Sequence, residues 1–537
     1  MHRNKSVDSH QFAMVPDADI PRASFNRPSS LKTTFNAGYL VPFLVDEVLP
    51  GDQFKINSTL FARMTTPIFP LMDNLHLDTF YFFVPNRLVW SNWKKFMGEQ
   101  ANPADSISYV VPQSVSPVAG YTVGSLHDYF FLPTVGQVAG GNTVSHSALP
   151  LRGYNLIYNA WFRDENLQNS VTENLGDGPD TYTDFTLLRR GKRKDYFTSA
   201  LPWPQKGTAV PLPLTGNAPV KGLAMNVAAV YTATPTNYRQ SATVGVPAGT
   251  NWAAAASGDI VIQGDNATKI PAIYADLSAV TAATINQLRQ SFQIQKLLER
   301  DARGGTRYTE IVRSHFGVIS PDARLQRPEY IGGGSTPVNI DPIAQTNATS
   351  VTGSTTPLAT LSAFATVISR NGCSYSATEH GYILGLLSVR ADLTYQQGLD
   401  RHWSRSTRYD FYFPVFSALG EQTILNKEIY CDGSANDALV FGYQERWAEY
   451  RYKPSKITGL FKSTSAGTLD GWHAAQKFTA LPTLNTTFIQ DTPPMDRILA
   501  VTGTTANSSN FYLDGVVDQT VTRPMPMYSV PGLIDHF

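Results

Sequence analysis

The sequence predicts a mainly β protein with long loop insertions and a few short helices. Its 537 residues include 39 glycines and 35 prolines, which favour turns over long helices. Hydrophobic residues make up 42% of the chain, enough for a well-buried core, and aromatic residues make up 11%. Apolar runs and alternating patterns at strand spacing recur along the chain. At this length we expect two compact units, or one core with large insertions.

The first strand signals lie between residues 33 and 85. Segment 1–32 before them is polar, and we expect it to be irregular. Apolar stretches punctuated by Pro and Gly fill residues 33–63. The run LHLDTFYFFVP, residues 75–85, is apolar at nearly every position of its second half. That composition predicts a strand that is covered on both faces.

Three segments show helical spacing. Val89, Trp93 and Phe96 share one face of a predicted short helix that ends near Gly98. Residues 101–149 look like a loop, after which Pro150 can occupy the first turn of a second helix. The aromatic face of that helix is interpreted as core packing. Apolar residues also form one stripe along 281–303, where two glycines follow and end the helix.

Residues 205–280 differ in character from the rest of the chain. They are rich in Ala, Thr, Val, Pro, Gly and Asn and carry few charges. Short apolar pieces at strand spacing predict an ordered β-rich insertion rather than a disordered linker. Low charge and Trp252 suggest packing against copies of itself or another partner. The predicted division of the chain is therefore 1–204, 205–280 and 281–537.

The C-terminal part carries the strongest strand signals. A Gly/Ser/Thr-rich stretch at 331–371 is predicted to be a long loop. Strand patterns then follow at 379–398 (one long strand or two in series), 408–416, 440–455 and 511–524. The tail from 525 to 537 is apolar and contains three prolines, so we expect it to dock on another surface.

The segment RSHFGVISPDARLQRPEYIGGG, residues 313–334, concentrates charge in a chain with only 16% charged residues. Pro321, Pro328 and the terminal glycines argue against a regular helix or a central strand. We predict an ordered irregular connection that makes a contact, rather than a solvated loop. The candidate interface residues here are Arg313, His315, Asp322, Arg324, Arg327 and Glu329, joined by Tyr528 and Phe537 of the tail.

One dense basic run is present, formed by Arg189, Arg190, Lys192, Arg193 and Lys194. The aromatic pair Tyr196-Phe197 lies beside it. Contact with nucleic-acid phosphates, with bases stacking on a ring, is one interpretation. A solvated basic loop is an equally good alternative. The formal net charge of the whole chain is zero, which argues against coating of nucleic acid through a global field.

The residues do not predict an enzyme, a cofactor or a metal site. Phosphate-binding, dinucleotide-binding, nucleophile-elbow and zinc-protease motifs are not found in the sequence. Two cysteines, Cys373 and Cys431, give neither a disulfide framework nor metal-ligand spacing. We expect no signal peptide and no membrane insertion. A β-rich glycan-hydrolysing or glycan-binding protein is the alternative to a structural protein, and it would need convergent carboxylates or a monomeric binding site.

Long blocks of the sequence resemble the major capsid protein family of the Microviridae, on the gokushovirus branch. The blocks are SHFGVISPDARLQRPEY, LDTFYFFVPNRLVWSNWKKFMGE, YNLIYNAWFRDENLQ, HGYILGLLSVRADLTYQQGLDRHWSR, VFGYQERWAEYRYKPSKITGLF and RPMPMYSVPGLIDHF. They flank the variable segments on both sides, so the resemblance covers nearly the whole chain. It is weakest at 208–280, where members of the family differ among themselves.

The resemblance implies an eight-stranded antiparallel jelly roll. It also implies a homo-oligomeric T=1 icosahedral shell around circular single-stranded DNA. Residues 205–280 would form protrusions on the three-fold axes that meet a bacterial surface receptor, with Tyr231, Tyr238 and Trp252 as candidate contacts. Other implied partners are a small basic DNA-packaging protein, an internal scaffolding protein and a DNA pilot protein. The implied location is the virion, assembled in the host bacterial cytoplasm.

Overall fold

The chain divides into two compact units in a computed structural model. The larger unit contains residues 1–204 and 303–537, and the smaller unit contains 205–302. The described residues are 21–106, 108–210, 285–346, 359–501 and 509–528, with the strand pieces 220–221, 223–225, 238–239, 260–262 and 274–275. The first boundary coincides with the predicted start of the insertion. The second lies further along the chain, so the smaller unit also takes in most of a helix that was predicted to follow the insertion.

Strands dominate the described structure, which confirms the mainly β prediction. The strands are β1 (Ala23–Asn26), β2 (Ser29–Phe35), β3 (Val41–Val48), β4 (Gln53–Met64), β5 (Leu75–Pro85), β6 (Gln113–Val115), β7 (Ser145–Ser147), β8 (Val220–Lys221), β9 (Leu223–Met225), β10 (Tyr238–Arg239), β11 (Ile260–Ile262), β12 (Tyr274–Ala275), β13 (Glu329–Pro337), β14 (Asn339–Ala344), β15 (Leu361–Ser376), β16 (Gly381–Ala391), β17 (Thr394–Tyr395), β18 (Glu421–Leu425), β19 (Val440–Glu445), β20 (Ser455–Lys456) and β21 (Phe511–Arg523). The helices are α1 (Asn86–Val89), α2 (Trp93–Phe96), α3 (Leu126–Tyr129), α4 (Leu149–Ile157), α5 (Ile285–Gly304), α6 (Tyr308–Phe316), α7 (Asn426–Ile429) and α8 (Thr486–Ile489).

A ten-stranded antiparallel sheet organises the larger unit. Its order is β1-β21-β4-β15-β13-β5-β16-β3, with β2 added to β21 and β14 added to β15. Most strands that lie side by side in this order are far apart in sequence. Such an order is expected of a curled sheet whose connections cross from one strand to a distant one. This architecture is consistent with a capsid-type jelly roll. The expected count of eight barrel strands stays a prediction, because ten described strands share this one sheet.

Alternation of side chains creates the main core on the concave face of the sheet. Along β4 every second residue is buried, from Phe54 to Met64, while the residues between them face outward. β21 repeats this pattern over most of its length. Aromatic rings fix the packing: Phe35 and Phe511 stack at 5.3 Å between ring centroids, and Phe43 meets Tyr81 edge-on at 5.7 Å.

β5 and β16, two interior strands of the sheet, are buried on both faces, as predicted for residues 75–85. One face of β5 joins the main core, and the other packs with Phe82 and Val84 into a second core. α4 covers this second face with Tyr154 and Ile157, both fully buried. The helix predicted from Pro150 is therefore confirmed, and a π-helical turn extends it to Phe162.

Two other helix predictions hold in part. The segment after β5 forms the two short helices α1 and α2 instead of one, because Trp90 adopts an extended conformation at the end of α1. The predicted helix at 281–303 is present as α5. Residues 101–149 are largely irregular, apart from two three-residue strands and α3.

The prediction that residues 313–334 exclude a helix and a central strand is wrong. α6 contains the beginning of this segment, and its end forms β13, which lies between β5 and β15 inside the sheet. The long loop predicted at 331–371 is likewise wrong, since β14 and most of β15 also fall there. The glycines do not break the strand; they allow it to approach its neighbours. A Cβ atom at Gly332 would lie 2.7 Å from Cys373 Cβ, and one at Gly334 would overlap the amide of Asn371.

Three further expectations differ from the structure. The expectation of an irregular segment 1–32 is wrong for residues 23–26 and 29–32, because β1 and the first part of β2 pair with β21. The strand predicted at 408–416 is replaced by 3₁₀ turns, since Asp410 accepts hydrogen bonds from the backbone N–H groups of Ser406 and Thr407. The strand predicted at 440–455 ends at Glu445, because Trp447 has a φ of +69° and turns the chain.

We predict that Gly332→Ala lowers the free energy of unfolding by about 1–3 kcal/mol, because the added methyl group must displace β15. Gly140→Ala is the matched control, since nothing lies within 4 Å of a Cβ atom there. Its effect should stay within about 0.5 kcal/mol. Urea denaturation followed by circular dichroism measures both variants. Equal unfolding midpoints for the two variants would contradict the role assigned to the glycine.

Candidate nucleic-acid and assembly surfaces

The basic run lies in an extended segment held between two other parts of the chain. The backbone N–H of Arg190 donates to the Gly38 carbonyl at 2.8 Å, and that of Lys192 donates to the Ile489 carbonyl at 2.8 Å. Arg189 stacks its guanidinium 4.1 Å from the centroid of the Tyr39 ring. The run is therefore part of the packed structure, and the alternative of a solvated basic loop is wrong.

Arg190 belongs to a buried charge cluster around Asp78. Its guanidinium lies 2.5 Å from the Asp78 carboxylate, and Arg390 lies 2.9 Å from the same carboxylate oxygen. Burial opposes ionisation of Asp78, but a hydrogen bond from Ser335 and the two guanidinium groups outweigh it and lower the pKa of Asp78. One carboxylate thus holds together two arginines from distant parts of the chain, and Phe80 covers the Arg190 guanidinium at 4.7 Å.

Lys192 is the most buried member of the run, with 7% of its surface exposed. Its Nζ lies 3.3 Å from the Gln476 side-chain oxygen and 4.5 Å from the centroid of the Phe488 ring. Burial lowers the pKa of Lys192 to about 8, and burial raises the pKa of nearby Asp491 to about 6. The Lys192 side chain is therefore packed inside the protein and barely accessible to a ligand.

Arg193 and Lys194 are the more accessible members of the run. Arg193 is half-buried and lies 3.0 Å from Asp392, and the exposed Lys194 pairs with Asp164. The neighbouring rings of Tyr196 and Phe197 are buried in a third core, so they offer no open face for base stacking. Contact of the run with DNA stays a prediction, and within the described structure it falls chiefly on Arg193 and Lys194.

The segment predicted to form a subunit interface is ordered by contacts within its own subunit. Arg327 lies 2.7 Å from Asp322, and its guanidinium stacks 4.1 Å from the Trp161 ring. Glu329 accepts a hydrogen bond of 3.2 Å from the Tyr375 hydroxyl. These three charged groups therefore fix the connection between α6 and β13.

The outward-facing part of that segment is mostly apolar. Arg313 and Arg324 are exposed, and His315 is half-buried in the last turn of α6. Beyond them the side chains of Phe316, Val318 and Ile319 are largely exposed. An interface at this segment stays a prediction, and it would be made mainly by these apolar groups.

The other predicted site residues are spread over the chain. Tyr528 is exposed. Tyr238 lies in β10 and pairs with Ile262 of β11, in a three-stranded sheet of the smaller unit. Tyr231, Trp252 and Phe537 lie outside the described residues.

Sequence reasoning missed two features. Arg152 and Asp180 form an almost fully buried ion pair at 2.6 Å, with side chains 2% and 1% exposed. Nothing local in the sequence signals this pair, because the partners meet only through the fold. Residues 403–460 also carry many exposed aromatic side chains. Several of these aromatic residues stand close together in the sequence RYDFYFPVF, but that segment is predicted from its pattern to be a strand.

Neither a metal site nor a membrane-spanning helix is found in the parts of the chain that the structure describes. Groups of three or more His, Cys, Asp or Glu side chains able to hold a metal ion are not found among these residues. Within the same residues, no helix combines the length and apolar character needed to cross a bilayer. Both cysteines are free; Cys373 is buried and Cys431 is exposed.

Comparisons with known proteins give one consistent family. The family model described as "Capsid protein (F protein)" matches residues 13–533. "Capsid protein VP1" of Bdellovibrio phage phiMH2K is 46% identical over 545 residues, covering 99% of each chain. The proteins of the same name from Chlamydia phage 1 and Spiroplasma virus 4 are 44% and 35% identical and cover 98% of this chain. They are covered over 98% and 97% of their own lengths.

The cluster around Asp78 gives a test of how the basic run is held. We expect Asp78→Asn to lower the free energy of unfolding by about 3–5 kcal/mol, because two buried guanidinium groups lose their counter-charge. Asp514→Asn is the control, since the Lys32–Asp514 ion pair lies on the surface. Its cost should be at most about 1 kcal/mol. Thermal or urea unfolding of both variants measures the difference, and similar losses would refute the buried-cluster explanation.

Proposed function

Because the chain belongs to the capsid protein (F protein) family, we propose that it is the building block of a T=1 icosahedral shell that encloses circular single-stranded DNA. The observation that carries this proposal is the match over nearly the full length of three phage capsid proteins. The family is structural, so a shell accounts for the chain better than a glycan-hydrolysing or glycan-binding activity. Its location would be the virion, after assembly in the cytoplasm of a bacterial host.

The distribution of charge supports a container that leaves most DNA phosphates to other cations. The chain carries 43 basic and 43 acidic residues; Lys192 of its basic run is buried, and the Arg190 side chain is only 13% exposed. A shell of such subunits gains little from the release of counterions by DNA. We therefore propose a small basic DNA-packaging protein as a partner. Internal scaffolding and DNA pilot proteins are further proposed partners.

Residues 205–280, which lie in the smaller unit, are proposed to form the three-fold protrusions that contact a bacterial surface receptor. This insertion is poor in charge, and short antiparallel strands such as β9, β10 and β11 pair within it. Insertions between strands of a rigid scaffold are a common location for recognition surfaces. Tyr231, Tyr238 and Trp252 are the proposed contact residues.

Electron microscopy of the purified chain tests the shell. We expect uniform hollow particles whose reconstruction has icosahedral symmetry with one 59.0 kDa copy per asymmetric unit. Analytical ultracentrifugation of the same sample should show one large species above any free subunit. A sample that contains only monomers under all conditions, or open aggregates without symmetry, would refute the proposal.

Charge reversal tests the DNA contact without disturbing the core. We expect particles of the double variant Arg193→Glu/Lys194→Glu to package less DNA than the wild type, because phosphates would meet two carboxylates. Lys32→Glu is the control, since Lys32 is an exposed cation outside the run. The ratio of nucleic acid to protein in purified particles is the measurement. An unchanged ratio in the double variant would exclude the run as a DNA contact.

A further inference from the structure

An exposed, mainly aromatic patch lies in the excursion between β17 and β18 and includes one residue from the turn after β19. We define it by six residues: Tyr409, Phe411, Tyr412, Phe413, Val415 and Tyr450. Val415 is 86% exposed, Tyr409 is 70% exposed, and the other four are between 37% and 54% exposed. Tyr409 and Phe413 both contact the Phe416 ring, at 6.4 and 6.1 Å between ring centroids. The ring centroid of Tyr412 lies 6.2 Å from that of Tyr450. Tyr412 and Phe413 are chain neighbours, so the exposed groups are clustered rather than scattered.

The patch is held rigidly from behind. Trp447 is buried beneath it, packs edge-on against Tyr412 at 5.5 Å, and donates its indole N–H to the Phe416 carbonyl at 3.1 Å. Arg405 lies between the rings of Phe411 and Tyr450, at 5.4 and 4.5 Å. A surface fixed in this way loses little side-chain entropy when a partner covers it.

The exposed apolar area of the patch is large enough to indicate a binding partner. Large aromatic side chains bury about 150–250 Å² each, so the six partly exposed groups present on the order of 600 Å² of mainly apolar surface. That is at the upper end of the largest patch on a typical monomer, about 300–600 Å². It is also most of the roughly 800 Å² that each partner contributes to a standard interface.

The charges around the patch decide what kind of partner fits. Arg405 is paired with Glu449 at 3.2 Å, and the Arg408 guanidinium stacks 5.3 Å from the Phe413 ring. Asp410 is occupied by the N–H groups of its own turn. Cations and anions are balanced here, which does not suit the uniformly negative backbone of DNA. An apolar surface rich in Tyr, Phe and Arg matches the composition of protein interface cores.

We infer that this patch is a subunit interface, covered in the shell by a second copy of the same chain. The inference rests on the proposed shell, and it locates a main contact in a region other than the segment around Arg327. A neutral chain also presents no net charge that would keep its copies apart. In a shell every subunit is surrounded by other copies of this chain at high local concentration, so a second copy is the expected partner.

Substitution at the centre of the patch tests the inference. In Tyr409→Asp/Val415→Asp, the assembled fraction should fall at least about tenfold, because two carboxylates would be buried without partners. Soluble subunits of the variant should keep a wild-type circular dichroism spectrum. Val110→Asp is the control; Val110 is 76% exposed, lies outside the patch, and its variant should assemble normally.

The outcomes separate this inference from the proposed function. Wild-type protein that forms no shells defeats the shell itself. Wild-type shells together with normal shells of the double variant overturn only the assignment of the patch. Loss of assembly in both the double variant and Val110→Asp also overturns it, because the effect would then not be specific to the patch.

Chemical labelling gives a second readout that does not depend on losing assembly. Val415→Cys in a Cys431→Ser background places one exposed thiol on the patch, while Cys373 stays buried. Reaction with a maleimide should be at least about tenfold slower in shells made from the purified chain than in dissociated subunits. Equal labelling rates in the two samples would show that the patch remains open in the shell and would overturn the inference.

Discussion

The close approach of β13 to both of its neighbours is the constraint on which the larger unit depends. β13 pairs with β5 along most of its length and meets β15 at Gly332. It joins the β4/β15/β21 part of the sheet to the β5/β16/β3 part. Without this contact the sheet would separate into two pieces, and each would expose an edge. Glycine at 332 and 334 is the condition for the contact, since side chains there would occupy the space of Cys373 and Asn371.

β5 and β16 are interior strands of that sheet and are buried on both faces. One face of the pair completes the main core, and the other supports α4 and the second core. β5 and β16 also carry the charge cluster, in which Asp78 of β5 contacts Arg390 of β16 and Arg190 of the basic run. The most conspicuous positive charges of the sequence thus serve to attach a connecting segment to the sheet. This use of cations is consistent with the proposal that other molecules balance the charge of packaged DNA.

A further feature of the larger unit is the apolar surface that a single subunit leaves exposed. Its interior is well packed, yet aromatic and aliphatic groups remain exposed around residues 316–319 and 409–415. In a monomeric protein such surface would be an aggregation hazard. In a shell, we propose, this surface forms contacts between copies. The buried Trp447 and the stacked Arg405 hold one such surface in place before any partner arrives.

The sequence by itself determined the fold class, the family and the elements with strong local patterns. The apolar run of β5, the helix after Pro150 and the composition change at residue 205 were all legible from local residues. The tertiary structure alone decided where charged and glycine residues act. Arg190 and Asp78 lie far apart in sequence, so only folding reveals that this arginine of the basic run is neutralised by a buried carboxylate. The glycines before Ser335 suggest a loop by propensity, but crowding by β5 and β15 makes them a strand. Trp447 and Asp410 end or replace predicted strands, because a left-handed backbone and local side-chain hydrogen bonds override alternation. Local pattern fixes which face of an element is apolar; long-range contacts decide what that face meets.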